Sequence, residues 1–182
     1  MMKDCEQTKG LSVLAHGELV HAYYQDLRNH VEQGAPLQYE WKLPDWFASK
    51  DLWRLRLSES VIEEYQVNHD CSKPLVRTLG EDGKVHFPDH AKASEAIWLH
   101  VGGNADAARL MGMDMDIHLL KAEGQEDFAK RREAATLLLT GLCEIHANAS
   151  MFGGIDSTSF KIKWKHIDKR GKQIVKLFDC GE

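Results

Sequence analysis

The sequence predicts an all-α fold, and three observations point there. Apolar residues recur every three to four positions in stretch after stretch, helix caps and breakers punctuate those stretches, and strand-like alternation is confined to one ambiguous segment near the end. Residues 12–33 set Val13, Val20, Tyr23, Leu27 and Val31 on one face of a helix closed by Gly34 and Pro36, and His16 joins that face four residues before Val20. Residues 36–53 hold three of the five tryptophans and two of the four prolines, so an irregular aromatic segment is expected, with one short helix from about Pro44. Ser60 with Glu63 forms a capping-box pattern opening a helix through Val61, Ile62 and Tyr65 that stops by Pro74, with His69 and Asp70 in its last turn.

LGEDGKVHFP, with Gly80, Asp82 and Gly83, reads as a loop, and Pro88 suits the first turn of a helix that runs past His90 to Gly102 and Gly103. Asn104 caps a short helix through Leu110, and the next one carries Met115, His118 and Leu119 and ends near Gly124. Phe128, Leu138, Leu142 and Ile145 support one long helix from Gln125 to about Ser150. From Ser157, the spacing of Phe160, Trp164 and Ile167 fits a helix ending at Gly171, while Phe160, Ile162 and Trp164 also alternate like a strand; the helix is preferred. There is no internal repeat or low-complexity stretch, and a single domain over residues 1–182 is expected.

Composition narrows the function classes. With 43% hydrophobic and 28% charged residues, the 182-residue chain is that of an ordinary globular protein, and it has no run long enough to span a bilayer. Its formal charge of −5 argues against wrapping a long nucleic acid, which depends on Lys and Arg to displace counterions. Cys5, Cys71, Cys143 and Cys180 form no CxxC pair, and MMKDCEQTKG lacks the apolar stretch of a signal peptide, so a reduced cytoplasmic protein is expected.

Histidine is the unusual entry, with ten in the chain. His16, the doublet His69-Asp70, His90 and His118 fall on four different helices, each expected to face inward. Imidazole and carboxylate are preferred ligands of divalent Zn, Fe, Mn, Co and Ni, and a helical core onto which several helices converge is a natural place for such an ion. Any one of these histidines alone would read as a core residue; His21 and His30 read as solvated, and His86, His100 and His146 as reserve ligands. Cys71 reads as small packing. Seven cations between Lys161 and Lys176 make a basic C-terminal segment, 157–182, readable as a solvated face or as an attractor of anions.

Asn68-His69-Asp70-Cys71-Ser72-Lys73-Pro74 resembles the His-Asp-x-Gly-Lys-Pro signature of the HD-domain superfamily of metal-dependent phosphohydrolases. The flanks agree: LAHGELVHAYYQDL supplies an earlier histidine, and EDGKVHFPDHAKAS is similar to the HD segment of bacterial tRNA nucleotidyltransferases. The sequence departs from the pattern at Ser72, where glycine is usual, and in the 53-residue gap between His16 and His69, which makes 36–53 an insertion. The closing aspartate is represented best by Asp156, with Asp114 and Asp116 as rivals.

The resemblance implies an HD-like helical bundle with a metal site in its core. One ion would be held by His16, His69, Asp70 and Asp156, and Asp70 would bridge to a second held by His90 and His118. The ions would be one or two of Mn, Fe, Co, Ni, Zn or Mg. Two cations about 3.5–4 Å apart activate water between them and neutralise phosphate oxygens. Lys73 would bind the phosphate or leaving group as a point charge. The implied function is a phosphohydrolase or phosphodiesterase acting on a small phosphorylated molecule of the nucleotide class, with Asp70 and Lys73 as its catalytic residues. Alternatives are a di-iron oxygenase of the inositol oxygenase type, or a non-catalytic module that binds a nucleotide or a protein partner. The oligomeric state is not legible.

Overall fold

The computed structural model describes residues 1–8, 10–81 and 83–179, with only the backbone at Asp179; Asp82 and Cys180, named above, lie outside the described residues. The protein is mostly helical, as expected. Strands β1 (Glu6–Thr8) and β2 (Leu11–Ser12) pair antiparallel and lead into helix α1 (Val13–Gln33). Helix α1 ends at Gly34, whose φ of +68° is a left-handed cap that a side chain would strain. The Gly34 N–H donates to the His30 carbonyl at 3.0 Å. A 3₁₀ turn (Asp45–Ala48) and helix α2 (Lys50–Arg54) interrupt the aromatic segment, and Ser49 Oγ caps α2 by accepting from the Leu52 N–H at 3.3 Å.

Helix α3 (Glu59–Asn68) starts one residue before Ser60, which therefore sits inside the first turn instead of capping it. It also stops sooner than expected. His69 and Asp70 occupy the turn between α3 and helix α4 (Lys73–Val76), and Pro74 lies in the first turn of α4, where its missing N–H has no intrahelical partner to lose. The proline starts a helix here instead of ending one. The segment read as a loop over 79–88 forms most of a short ladder, β3 (Thr78–Leu79) against β4 (Val85–His86).

Helix α5 (His90–His100) begins after Asp89, so Pro88 precedes its first turn. Helix α6 (Ala105–Gly112) is capped as expected: Asn104 Oδ1 accepts from the Asp106 and Ala107 N–H groups at 2.9 and 3.2 Å. Helix α7 (Asp116–Leu119) and a 3₁₀ turn (Ala122–Gly124) follow. The long helix expected over 125–150 is two helices, α8 (Gln125–Ala129) and α9 (Ala134–Met151). The break falls on the charged run Lys130-Arg131-Arg132-Glu133, which offers no apolar face to bury. Helix α10 (Thr158–Asp179) settles the tail as helix and runs straight through Gly171. A Cβ at Gly171 would lie 2.2 Å from the Trp46 ring, so this glycine permits a close approach and is not a terminator.

The chain forms two compact units, Met1–Leu19 with Glu59–Met115, and Val20–Ser58 with Asp116–Glu182; the division falls within α1. In the first unit, α6 packs on α3 and α5, and α4 packs on α5. Its core holds Val13, Ile62, Tyr65, Ala107, Ala108, Leu110 and Met111. Helices α1 and α3 approach closely at Gly17, where a Cβ would stand 2.1 Å from the Val67 carbonyl oxygen.

In the second unit α10 packs on α2, α7, α8 and α9, over a core that includes Leu27, Phe128, Leu137, Leu138, Ile167 and Ile174. The aromatic segment is pinned as a strap. Asp26 accepts from the backbone N–H groups of Gln38 and Tyr39 and from the Trp41 indole, at 2.9, 3.2 and 2.9 Å. Tyr39 stacks on Tyr23 with centroids 4.3 Å apart, and Trp46 and Trp53 are buried. No helix among the described residues is long and apolar enough to cross a membrane.

Candidate metal centre

The first unit brings His16, His69 and Asp70 together: one ligand atom from each lies within 4.8 Å of the others, and all three side chains are buried. Their placement follows from local structure. His16 projects from α1 immediately before Gly17, and the bare Gly17 backbone lets α1 settle on the last turn of α3, which delivers the doublet. The His16 and His69 rings meet edge to face at 5.3 Å.

Backbone carbonyls orient two imidazoles. His69 Nδ1 lies 2.8 Å from the Gln66 carbonyl oxygen and His90 Nδ1 lies 3.0 Å from that of Phe87. A carbonyl can only accept, so both Nδ1 atoms carry a proton, and each ring is turned so that its Nε2 is the nitrogen left to face the site. Both Nε2 atoms face Asp70: His69 Nε2 is 3.2 Å from Oδ2 and His90 Nε2 is 3.7 Å from Oδ1. In a tetrahedral site with bonds of about 2.1 Å, neighbouring ligand atoms sit a little over 3 Å apart, so these separations suit a shared cation.

Asp70 is the centre of the cluster. Its Oδ2 accepts from Lys73 Nζ at 2.6 Å, while Oδ1 is buried and accepts no hydrogen bond among the described residues. Burial alone would raise its pKa, but the neighbouring His69 ring and the Lys73 ammonium outweigh it and hold the carboxyl far below the usual carboxylate range. Asp70 is therefore an anion in the interior. The donor set of buried imidazoles around an ionised carboxylate fits Zn, Mn, Fe, Co or Ni.

Lys73 Nζ also donates to Gln7 Oε1 on β1 at 3.0 Å and lies 5.3 Å from the centre of the Phe87 ring. An open cleft of about 630 Å³ is lined by Met1, Asp4, Cys5, Glu6, Pro74 and Arg77, of which Pro74 and Glu6 are the sequence neighbours of Lys73 and Gln7. Ser72, the departure from the resembled motif, is explained by its contacts. Its backbone is helical, its hydroxyl donates to the His90 carbonyl at 2.7 Å, and Ser94 Oγ donates to it at 3.0 Å. The hydroxyl thus ties the doublet's turn to the start of α5, where His90 sits. Burial pushes the Cys71 thiol pKa up, and Sγ lies 3.8 Å from the Ser94 carbonyl, an environment for packing and not for a nucleophile.

The acidic candidates separate clearly. Asp114 is buried in the first unit, within 4.8 Å of a His69 nitrogen, and accepts from the Tyr65 hydroxyl at 2.5 Å. Asp156 belongs to the second unit; its side chain is 91% exposed and pairs with Lys161 at 3.2 Å. Asp116 pairs with Arg131 at 2.6 Å in the same unit. His118 is there too, with Nε2 2.9 Å from Glu144 Oε2. His21 is buried beside Gln25 instead of solvated, and His30 contacts the Ala35 carbonyl.

His146 is the most heavily committed of the reserve histidines. Nδ1 donates to the Leu142 carbonyl at 2.8 Å and Nε2 accepts from the Lys42 N–H at 3.1 Å, so it is a buried neutral strut of the strap. Burial pulls its pKa down to about 4, against the smaller opposing effect of those two backbone bonds.

The residues that pattern reading missed are Gly17, Gln7, Ser94 and Tyr65. Only Gly17 carried a signal, since a glycine inside a 21-residue helix costs about 1 kcal/mol against alanine and asks for a packing reason. No family model matches the chain, and no curated protein and no solved structure matches it.

Proposed function

We propose that the first unit is an HD-like metal-dependent phosphohydrolase whose ion is held by His16, His69 and Asp70, with Asp114 as the closing carboxylate and His90 as a further ligand. One observation carries the reading: Asp70 Oδ1 is a buried, ionised oxygen that accepts no hydrogen bond among the described residues, and imidazole nitrogens oriented by backbone carbonyls converge on its carboxylate. Lys73 compensates the carboxylate at Oδ2 alone, a buried charged oxygen left without a partner is costly, and a divalent ion is the partner this donor set suits. When bound, such an ion supplies an acidified water and neutralises charge on phosphate oxygens.

The chain's own groups do the rest. Ser72 and Gln66 fix the geometry of the histidines. Lys73 has three ammonium protons and places two of them, on Asp70 and Gln7, which leaves the third to donate to a substrate phosphate. The adjoining cleft is of the size that takes a nucleotide-class molecule, with the exposed Arg77 guanidinium on its wall.

The experiment is a phosphate-release screen over nucleotides and sugar phosphates with Mn, Co, Ni, Zn or Fe added, comparing wild type with Asp70→Asn. Metal-dependent release by wild type and at least a 1,000-fold loss in the variant are expected. Equal rates in the two proteins would rule the reading out, and iron-dependent oxygen uptake without phosphate release would replace it with an oxygenase.

A further inference from the structure

We infer that helix α10 is a docking surface for the phosphodiester backbone of duplex DNA, independent of the metal centre. The net charge of −5 averages over a strong segregation: residues 158–179 contain six lysines and one arginine against two aspartates, +5 on one helix, leaving −10 on the remainder. The helix is held by its apolar side, where Phe160, Ile167, Ile174, Val175 and Phe178 are buried and Gly171 meets Trp46.

The opposite side is a lysine stripe. Lys161, Lys165, Lys169, Lys172 and Lys176 recur at intervals of four, four, three and four, which places all five within about 80° of the helix circumference, and all are exposed. Lys161 and Lys172 have carboxylate partners, Asp156 and Asp168. Among the described residues Lys165, Lys169 and Lys176 form no ion pair. From Lys161 to Lys176 the stripe spans about 22 Å at 1.5 Å per residue, the length over which one strand of a duplex presents about six phosphates.

Two features weigh against a single strand and against a membrane surface as the occupant. Readers of single strands interleave aromatics to stack bases. Trp164, the aromatic nearest the stripe, is occupied, with its N–H donated to the Lys42 carbonyl at 2.7 Å and its ring under the Lys42 ammonium. A membrane-surface helix would insert its apolar side into lipid. That side of α10 is buried in the protein, and Ile162 is the one large apolar residue it exposes.

The test is fluorescence anisotropy with a labelled 20-base-pair duplex, titrated between 50 and 150 mM salt. Five neutralised phosphates give a log–log salt slope of about −4.5, so wild-type affinity is expected to fall on the order of 100-fold across that range. The triple variant Lys165→Gln, Lys169→Gln, Lys176→Gln is expected to bind more weakly at 50 mM and to keep a slope of only about −1.8. The control Lys3→Gln, Lys92→Gln, Lys130→Gln removes the same charge elsewhere and should keep the wild-type slope, with circular dichroism verifying that both variants are folded. No binding at 50 mM salt, equal slopes in the two variants, or binding of a single strand or of anionic vesicles in preference to the duplex would overturn the inference.

Discussion

Replacing Gly17 with alanine tests how the centre is assembled. A Cβ at this position stands 2.1 Å from the Val67 oxygen, 2.7 Å from the Val67 carbonyl carbon and 2.9 Å from the Gln66 oxygen, all backbone atoms of α3. Ordinary contact begins near 3.4 Å, so α1 and α3 must separate by about 1.3 Å. Overpacking of this kind costs about 1–3 kcal/mol, against which alanine's helix propensity returns at most about 1.

The geometric damage is larger than the energetic one. The Gln66 carbonyl that must retreat is the one orienting His69, and His16 rides on the helix that moves. Metal sites tolerate about 0.2 Å in ligand distance, and losing an orienting hydrogen bond costs about 10–100-fold in metal affinity. Urea unfolding with competitive metal titration is the assay. Gly112→Ala is the matched control: its Cβ also meets an atom at 2.1 Å, but that atom is the end of the flexible Glu95 side chain and the nearest fixed one, Glu95 Cβ, stands at 3.1 Å, so a smaller loss than in Gly17→Ala and normal metal affinity are expected. If Gly17→Ala binds metal like wild type, or if the two variants behave alike, the close approach of α1 to α3 is not what sets the ligands.

Three further outcomes are expected. His146 titrates near 4 when folded and near 6.5 when unfolded, so its stability contribution is complete above pH 6.5 and is lost as pH falls toward 4. The loss amounts to about 3 kcal/mol, and urea melts of His146→Gln against wild type across that window should show the difference shrinking as pH falls. Gly171→Ala forces α10 off the Trp46 ring, so a loss of about 1–3 kcal/mol with a shift in tryptophan emission is expected; unchanged melting would argue against that packing. Ser72→Ala removes the hydroxyl donated to the His90 carbonyl and should cost about 1 kcal/mol of stability and weaken metal binding, read by competitive titration, whereas Ser72→Thr should retain part of both.

Periodicity carried the helices because each buries an apolar stripe, and His16 and the doublet were legible as its inward members. What pattern could not carry was tertiary. The charged run 130–133 ends α8 for want of an apolar face, and Gly171 looks like a terminator until Trp46 is set against it. Pro74 reads equally as a stop for α3 or as a start for α4, since proline suits a first turn and only the preceding turn decides. Choosing among Asp114, Asp116 and Asp156 required burial: the sequence favoured Asp156, whereas the structure buries Asp114 beside His69 and sets the other two in ion pairs with Lys or Arg. His118 fitted the spacing of a ligand, and in the structure its Nε2 lies 2.9 Å from the Glu144 carboxylate.

The most direct test of the central claim, that His16, His69 and Asp70 hold a divalent ion, is elemental analysis of protein purified without chelator. About one equivalent of a transition metal is expected in wild type, and less than about a tenth of that in folded His16→Gln and Asp70→Asn. Wild type free of metal and unable to take it up, or variants loaded like wild type, would contradict the claim.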